Sequence, residues 1–407
     1  MARALYLHIP FCVRRCRYCD FATAATRHGD GLMARYARSL ERLVSQAGEL
    51  GLLEGLRTAY LGGGTPTMLG AEALSSLIAR VSDQEPTHAG LEELTFEANP
   101  ESLGDDVLAF ALEAGATRVS IGVQSFCDRE LEGLGRVHTA ELAEQRVRAA
   151  VASGLRVSVD LMCGIPYQTP ASWENSLAQA VSLGVGHASC YPLMIEPGTP
   201  MEGMCETGEL PWPSDDTEAN DMEAAERVLG DAGFARYEVA SYARSGERCR
   251  HNVAYWTGVE YLGLGVAAAS MLGREAYEVL RGAVPLLSKS RADAARLRLT
   301  VSSDVREVAR AQSLADLRFD VEQLSEREAV AEDLMLAARM TDGLCPELVK
   351  RAREIIGTAR VDACLERLVG EGLLVAGRRG WLAPTHAGWL LGNELYGPLW
   401  DLASAGD

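Results

Sequence analysis

The chain has 407 residues, 39 Lys and Arg against 57 Asp and Glu, a formal net charge of −18, and 47% hydrophobic residues. That length fits one large α/β domain with a smaller one, and the acidic balance repels polyphosphate backbones, which argues against general nucleic-acid binding. No apolar run is long enough to span a membrane and no signal peptide is apparent, so a cytoplasmic protein is expected, whose ten cysteines do not read as a disulfide framework.

From Ala4 to about Leu193 short β-rich runs alternate with amphipathic helical stretches, the pattern of parallel βαβ units. The predicted strands are 4–9, 57–61, 94–97, 118–122, 157–162 and 187–193. The first predicted helix places Met33, Tyr36, Leu40, Leu43, Val44 and Ala47 on one face behind a capping candidate at Asp30. Six βα units predict a partial TIM-like (β/α)6 barrel, with ligand residues at the C-terminal ends of its strands.

Directly after the first strand come Cys12, Cys16 and Cys19, spaced C-x3-C-x2-C. Three soft thiolates on one loop can hold three irons of a [4Fe–4S] cube and leave the fourth without a protein ligand. Half a zinc site, with Asp20 as fourth ligand, is the alternative. After the second strand, Gly62-Gly63-Gly64-Thr65-Pro66-Thr67 lets backbone approach a ligand closely and adds a hydroxyl. After the third, Glu97-Ala98-Asn99-Pro100 puts a carboxylate at a strand end. The fourth is followed by Gln124 and then by Gly135-Arg136-Val137-His138-Thr139, where Arg136 can pair with a carboxylate or simply flank a helix. Asp160 sits among apolar neighbours on the fifth strand, so it must be hydrogen-bonded or face a cavity.

The cysteine spacing resembles the radical S-adenosylmethionine (SAM) superfamily. In that superfamily the amino and carboxylate groups of SAM chelate the open iron, and an electron from the cluster cleaves SAM to a 5'-deoxyadenosyl radical. The order Tyr-x-His-x-Pro-Phe-Cys, Gly-Gly-Gly-Thr-Pro-Thr, Glu-Ala-Asn-Pro, Gly-Val-Gln-Ser-Phe, Gly-Arg-x-His-Thr and Asp-x-Met-x-Gly-Ile-Pro is similar to one branch of it. That branch holds the oxygen-independent coproporphyrinogen III oxidases and the HemW family of heme chaperones. The resemblance implies that Tyr6, Tyr18, Gly63, Gly64, Thr65, Glu97, Gln124, Arg136 and Asp160 contact SAM; His8 is as readily structural.

Two departures weigh against the oxidase: Phe21 stands where the oxidase has a further cysteine, and the chain begins five residues before Tyr6, without the oxidase's N-terminal extension. Further on, His251-Asn252-Val253-Ala254-Tyr255-Trp256 resembles the heme-binding signature of the HemW family. A neutral imidazole ligates iron, and Tyr255 and Trp256 offer flat apolar surface to a porphyrin; the alternative is that His251 packs at the barrel rim among core aromatics. The resemblance thus implies a [4Fe–4S] cluster, SAM and heme as cofactors, delivery of heme to respiratory hemoproteins, and cluster-supported dimerisation or peripheral membrane association. The other readings are radical decarboxylation of a porphyrinogen and, third, a radical SAM methyltransferase.

The expected organisation is a barrel over 1–235, a capping extension over 236–324 and a winged-helix-like module over 325–407. Within the extension, Gly258–Ser270 is expected to be a loop wrapping the barrel mouth, and Met271–Leu324 carries no assigned chemistry. The last module opens on the capping box Ser325-x-x-Glu328 and reads as three helices and a hairpin. Such modules often bind DNA, but 9 basic and 13 acidic residues over 325–407 favour a lid or docking role.

Overall fold

The computed structural model describes residues 1–26, 30–84 and 90–404. Six parallel strands form the barrel wall: β1 (Ala4–Ile9), β2 (Thr58–Gly63), β3 (Glu93–Ala98), β4 (Arg118–Gln124), β5 (Arg156–Cys163) and β6 (His187–Pro192). Each expected strand is present within a few residues of its predicted bounds. The helices between them are α1 (Gly31–Glu49), α2 (Ala71–Ser82), α3 (Asp105–Glu113), α4 (Asp128–Leu134), α5 (Ala140–Ala152) and α6 (Pro170–Ser182). Asp30 caps α1 by accepting from the Leu32 amide, and all six apolar residues of its predicted face are buried. Their core joins the outer faces of β1 to β6 into one continuous cluster.

Beyond β6 the chain continues through α7 (Pro200–Glu206), α8 (Asp215–Asp231), β7 (Ala235–Arg236), β8 (Ser241–Ala243) and α9 (Arg250–Trp256). The sheet does not stop at six strands. Its order is β12-β11-β10-β9-β1-β2-β3-β4-β5-β6-β8-β7, where β9 is Tyr261–Leu264, β10 Ala269–Gly273, β11 Ala294–Val301 and β12 Phe319–Ser325. β9 runs parallel to β1 and the strands outside it are antiparallel. The expected loop over Gly258–Ser270 is therefore corrected: it holds β9 and the start of β10. The signal is weak because Gly263 lies inside the strand; a Cβ there would meet the Ala269 carbonyl oxygen at 2.0 Å, so a glycine is what lets the hairpin close.

The C-terminal module has its own core. It holds α12 (Glu326–Ala337), α13 (Pro346–Ile356) and α14 (Thr358–Gly370), numbered after α10 (Arg274–Ala283) and α11 (Val305–Arg310), and an antiparallel hairpin of Leu374–Ala376 and Leu382–Pro384. Beyond the three helices and hairpin expected, α15 (His386–Leu390) and α16 (Gly392–Trp400) follow, and Leu395 and Leu399 of α16 complete the core. The Ser325–Glu328 capping box is formed in both directions. Arg296 on β11 reaches Glu332 at 3.0 Å and Asp333 at 2.8 Å on α12, docking the module against the extended sheet, while Trp389 Nε1 donates to the Val239 carbonyl at 2.8 Å and Arg339 lies over Trp256 of α9.

Candidate functional site

The cluster loop leaves β1 at the C-terminal end of the barrel. Phe11–Cys12 pairs with Ala24–Ala25, which folds the loop back over the strand ends, and the three cysteines on it are free thiols. Asp20, the zinc alternative, is exposed. Among the described residues no three His, Cys, Asp or Glu side chains gather closely enough for one metal ion. Three thiolates on one loop, with Asp20 turned to solvent, supply three corners of a [4Fe–4S] cube and lack the fourth ligand of a closed zinc site.

The glycine triplet allows β2 to end against this loop. Gly63 has φ +112° and a Cβ on it would lie 2.5 Å from the His8 ring; one on Gly64 would lie 2.8 Å from the Pro10 carbonyl carbon. His8 is itself held by Tyr6 Oη at 3.0 Å on Nδ1 and by the Ala22 carbonyl at 3.0 Å on Nε2, so it fastens β1 to the returning loop.

A run of polar contacts then connects the motifs. Cys12 Sγ lies 3.5 Å from Thr65 Oγ1; Asn99 Nδ2 donates to Thr65 Oγ1 at 2.8 Å; Arg136 Nη2 donates to Asn99 Oδ1 at 2.7 Å; and Arg136 Nη1 donates to Cys16 Sγ at 3.4 Å. The path starts and ends on cluster cysteines. Arg136 Nη2 also takes the Gly122 carbonyl at 2.7 Å, beside the irregularity in the β4–β5 ladder that leaves Gln124 at φ +66°. Burial opposes the charge of Arg136, but Tyr18, Cys16 and Glu101 around it hold the proton more firmly than usual.

Two carboxyl groups face the lumen beside this network. Burial pushes Glu97 up to about 7, although Tyr60 Oη at 2.8 Å and the Gly63 amide at 2.9 Å both donate to it. Burial likewise pushes Asp160 up to about 6, against hydrogen bonds from Ser189 and Ser120. Gln124 accepts from Tyr191 Oη at 3.1 Å. Part-buried carboxyls towards strand ends can accept from the hydroxyl and amino groups of a ligand. Asn99 and Tyr60 went unassigned in the sequence reading. The available signal was chemical: an amide at a strand end both donates and accepts, which a bridging position needs.

Residues 6–180 match the model of the Radical SAM superfamily. The heme chaperone HemW of Bacillus subtilis is 30% identical over 403 residues, 97% of this chain and 98% of that one. The chain belongs to the HemW family. HemW of Mycobacterium tuberculosis is 39% identical over 271 residues, 66% of this chain and 69% of that one. The structure of coproporphyrinogen III oxidase (HemN) from Escherichia coli aligns with a TM-score of 0.75 at 19% identity, over 99% of this chain and 90% of that one, which is a likeness of fold. Membership of the radical SAM superfamily brings a [4Fe–4S] cluster and SAM with it.

The HemW-like segment lies at the other end of the barrel. α9 plugs the N-terminal mouth, where Glu93, the first residue of β3, accepts from the amides of Arg250 at 3.2 Å and His251 at 3.0 Å and pairs with Arg118, the first residue of β4, at 3.2 Å. His251 has no exposed surface. Its Nδ1 is 3.1 Å from Thr58 Oγ1 and its Nε2 2.9 Å from Tyr255 Oη, while the ring stacks on Tyr60. Both ring nitrogens are thus engaged by protein, and burial lowers His251 to about 3. Thr58 begins β2 and Gly63 ends it, so the cluster loop is about 16 Å away. Tyr255 packs edge-on against Tyr261, and Trp256 lies under the Arg339 guanidinium. The structure does not bring the three residues of the heme expectation together with the cysteines, and it leaves His251 no nitrogen to offer while α9 stays docked.

Proposed function

We propose that this chain binds heme and passes it to respiratory hemoproteins, with a SAM-ligated [4Fe–4S] cluster at the C-terminal mouth of its barrel. The observation that carries the reading is 30% identity to a heme chaperone over an alignment that spans 97% of the chain. Phe21, 61% exposed where the oxidase has a further cysteine, agrees with it.

In this reading Cys12, Cys16 and Cys19 hold three irons of the cluster. When bound, the cluster supplies an electron to SAM. The chain's own part would be to bind and orient: the Gly63–Thr65 edge would meet the amino group of SAM, Glu97 and Asp160 would accept from amino or hydroxyl groups, and Tyr6 and Gln124 would line the same site. Arg136, whose Nη1 donates to Cys16 Sγ at 3.4 Å, and Tyr18 would contact SAM beside the cluster. Dimerisation and peripheral membrane association of the loaded chaperone belong to the same proposal.

Anaerobically reconstituted protein should show a cubane absorption that changes on adding SAM, and should take up hemin to near one equivalent with a Soret band. A second reading, oxidative decarboxylation of coproporphyrinogen III, rests on the shared order of motifs. Anaerobic incubation with coproporphyrinogen III and a reductant separates the two: stepwise loss of carboxyl groups would overturn the chaperone.

A further inference from the structure

Apart from the α9 segment, one cavity has the chemistry to take a flat macrocycle. We infer that the cleft between the β5–α6 loop, α7 and the segment leading into α8 is a tetrapyrrole-binding pocket, an inference that rests on the heme-binding reading above.

The cleft encloses about 300 Å³ and opens on the same face of the barrel as the cluster loop. Its floor is apolar, with Ile165, Met201, Cys205 and Leu210 all buried. Its rim carries two large exposed aromatics, Tyr167 at 51% and Trp212 at 54%. Aromatic faces above an apolar floor match a flat macrocycle, and a soluble protein rarely leaves such side chains clustered in water without use. The volume takes one edge of a porphyrin and leaves the rest outside, as a donor that must release its cargo requires.

Two further features point to a ligand. Tyr167 has φ +67°, a conformation costly for a bulky residue, and its ring lies so near Gly133 that a Cβ there would meet it at 3.1 Å. Arg129 lies 4.7 Å above that ring, and among the described residues no carboxylate forms an ion pair with it. A guanidinium at an aromatic rim is what propionate groups would meet. Gln168, also lining the cleft, has a buried amide oxygen without a hydrogen-bond partner.

The floor is shared with the cluster loop. Tyr18, between Cys16 and Cys19, packs on the same apolar group, and the Met201 amide donates to the Arg17 carbonyl at 2.9 Å. A ligand in the cleft would therefore press on the wall that also supports the cysteines.

The test titrates reconstituted protein with hemin and, separately, with metal-free protoporphyrin IX. The variants are Tyr167→Gly, Trp212→Ala and the pair together, with Leu286→Ala as an exposed apolar control. The pair should weaken both ligands by roughly tenfold or more. The melting temperature of Tyr167→Gly should hold or rise, since glycine adopts the positive φ freely. Unchanged affinity in the pair overturns the pocket while leaving heme binding intact. An equal loss in Leu286→Ala marks general surface adsorption and also overturns it. No Soret complex with the wild type removes the heme reading itself and the pocket with it.

Discussion

The Arg136 guanidinium donates to the Cys16 sulfur at 3.4 Å across 120 positions of sequence, and the same side chain holds Asn99 at 2.7 Å. One cation thereby ties the cluster loop to the ends of β3 and β4. A positive, hydrogen-bonding group against a thiolate ligand stabilises the reduced cluster, because reduction adds negative charge beside it.

Replacing Arg136 by Gln should therefore lower the cluster's reduction midpoint, by an amount on the order of tens of millivolts. Anaerobic redox titration followed by electron paramagnetic resonance reads this directly. A midpoint at the wild-type value would show that the contact has no electrostatic role.

Cys12→Ser, Cys16→Ser and Cys19→Ser should each abolish or greatly reduce cluster iron with far-ultraviolet circular dichroism unchanged, since the barrel core does not depend on the loop. Cys127→Ser and Cys364→Ser, which sit singly elsewhere, should retain full iron content. Iron analysis after reconstitution distinguishes the two groups.

His251→Ala removes a ring that fills the barrel end and satisfies Thr58 and Tyr255. The expected cost is about 2–4 kcal/mol in urea unfolding. Hemin affinity should remain within about twofold of wild type while α9 stays docked. A large loss of affinity without loss of stability would show that His251 leaves the barrel to reach heme.

The same histidine sets an acid limit. His251 is lowered to about 3 in the fold, whereas the unfolded chain takes up its proton near 6.5. Its contribution is full above the unfolded value and is lost progressively as pH falls from about 6.5 toward 3, at up to about 1.4 kcal/mol per unit. His187, lowered to about 3 by burial and by Arg118, acts in the same window. Urea midpoints between pH 7 and 4 should therefore fall less steeply in His251→Gln than in the wild type.

Glu97 has the opposite sign. Its folded value, raised to about 7, means that the native state keeps a proton the unfolded chain releases. Stability from this group is present at low pH and declines as pH rises from about 4.5 to 7, by up to about 3 kcal/mol. Glu97→Gln should flatten that decline in unfolding measurements and weaken SAM binding above pH 7.

What was legible in the sequence was local. The α1 face and its Asp30 cap, the six strands, and the Ser325 capping box depend on residues within a few positions of each other, and each appears as expected. β9 was not legible because its interior glycine reads as a loop, and only the Ala269 carbonyl against it explains the residue. Asn99 was visible as part of a motif, but its bridging role needed Thr65 and Arg136 brought beside it.

Cysteine spacing alone determined that one loop presents three thiols, because seven residues of chain cannot separate them far. The alternation of short β-rich runs with amphipathic helices determined the barrel, because parallel strands need a helical crossover between them. Where His251 points, which aromatics ring the cleft at Tyr167, and how Arg136 meets Cys16 were decided only by tertiary folding. Each joins segments far apart in the chain, and no local pattern records which distant partner satisfies a buried polar group.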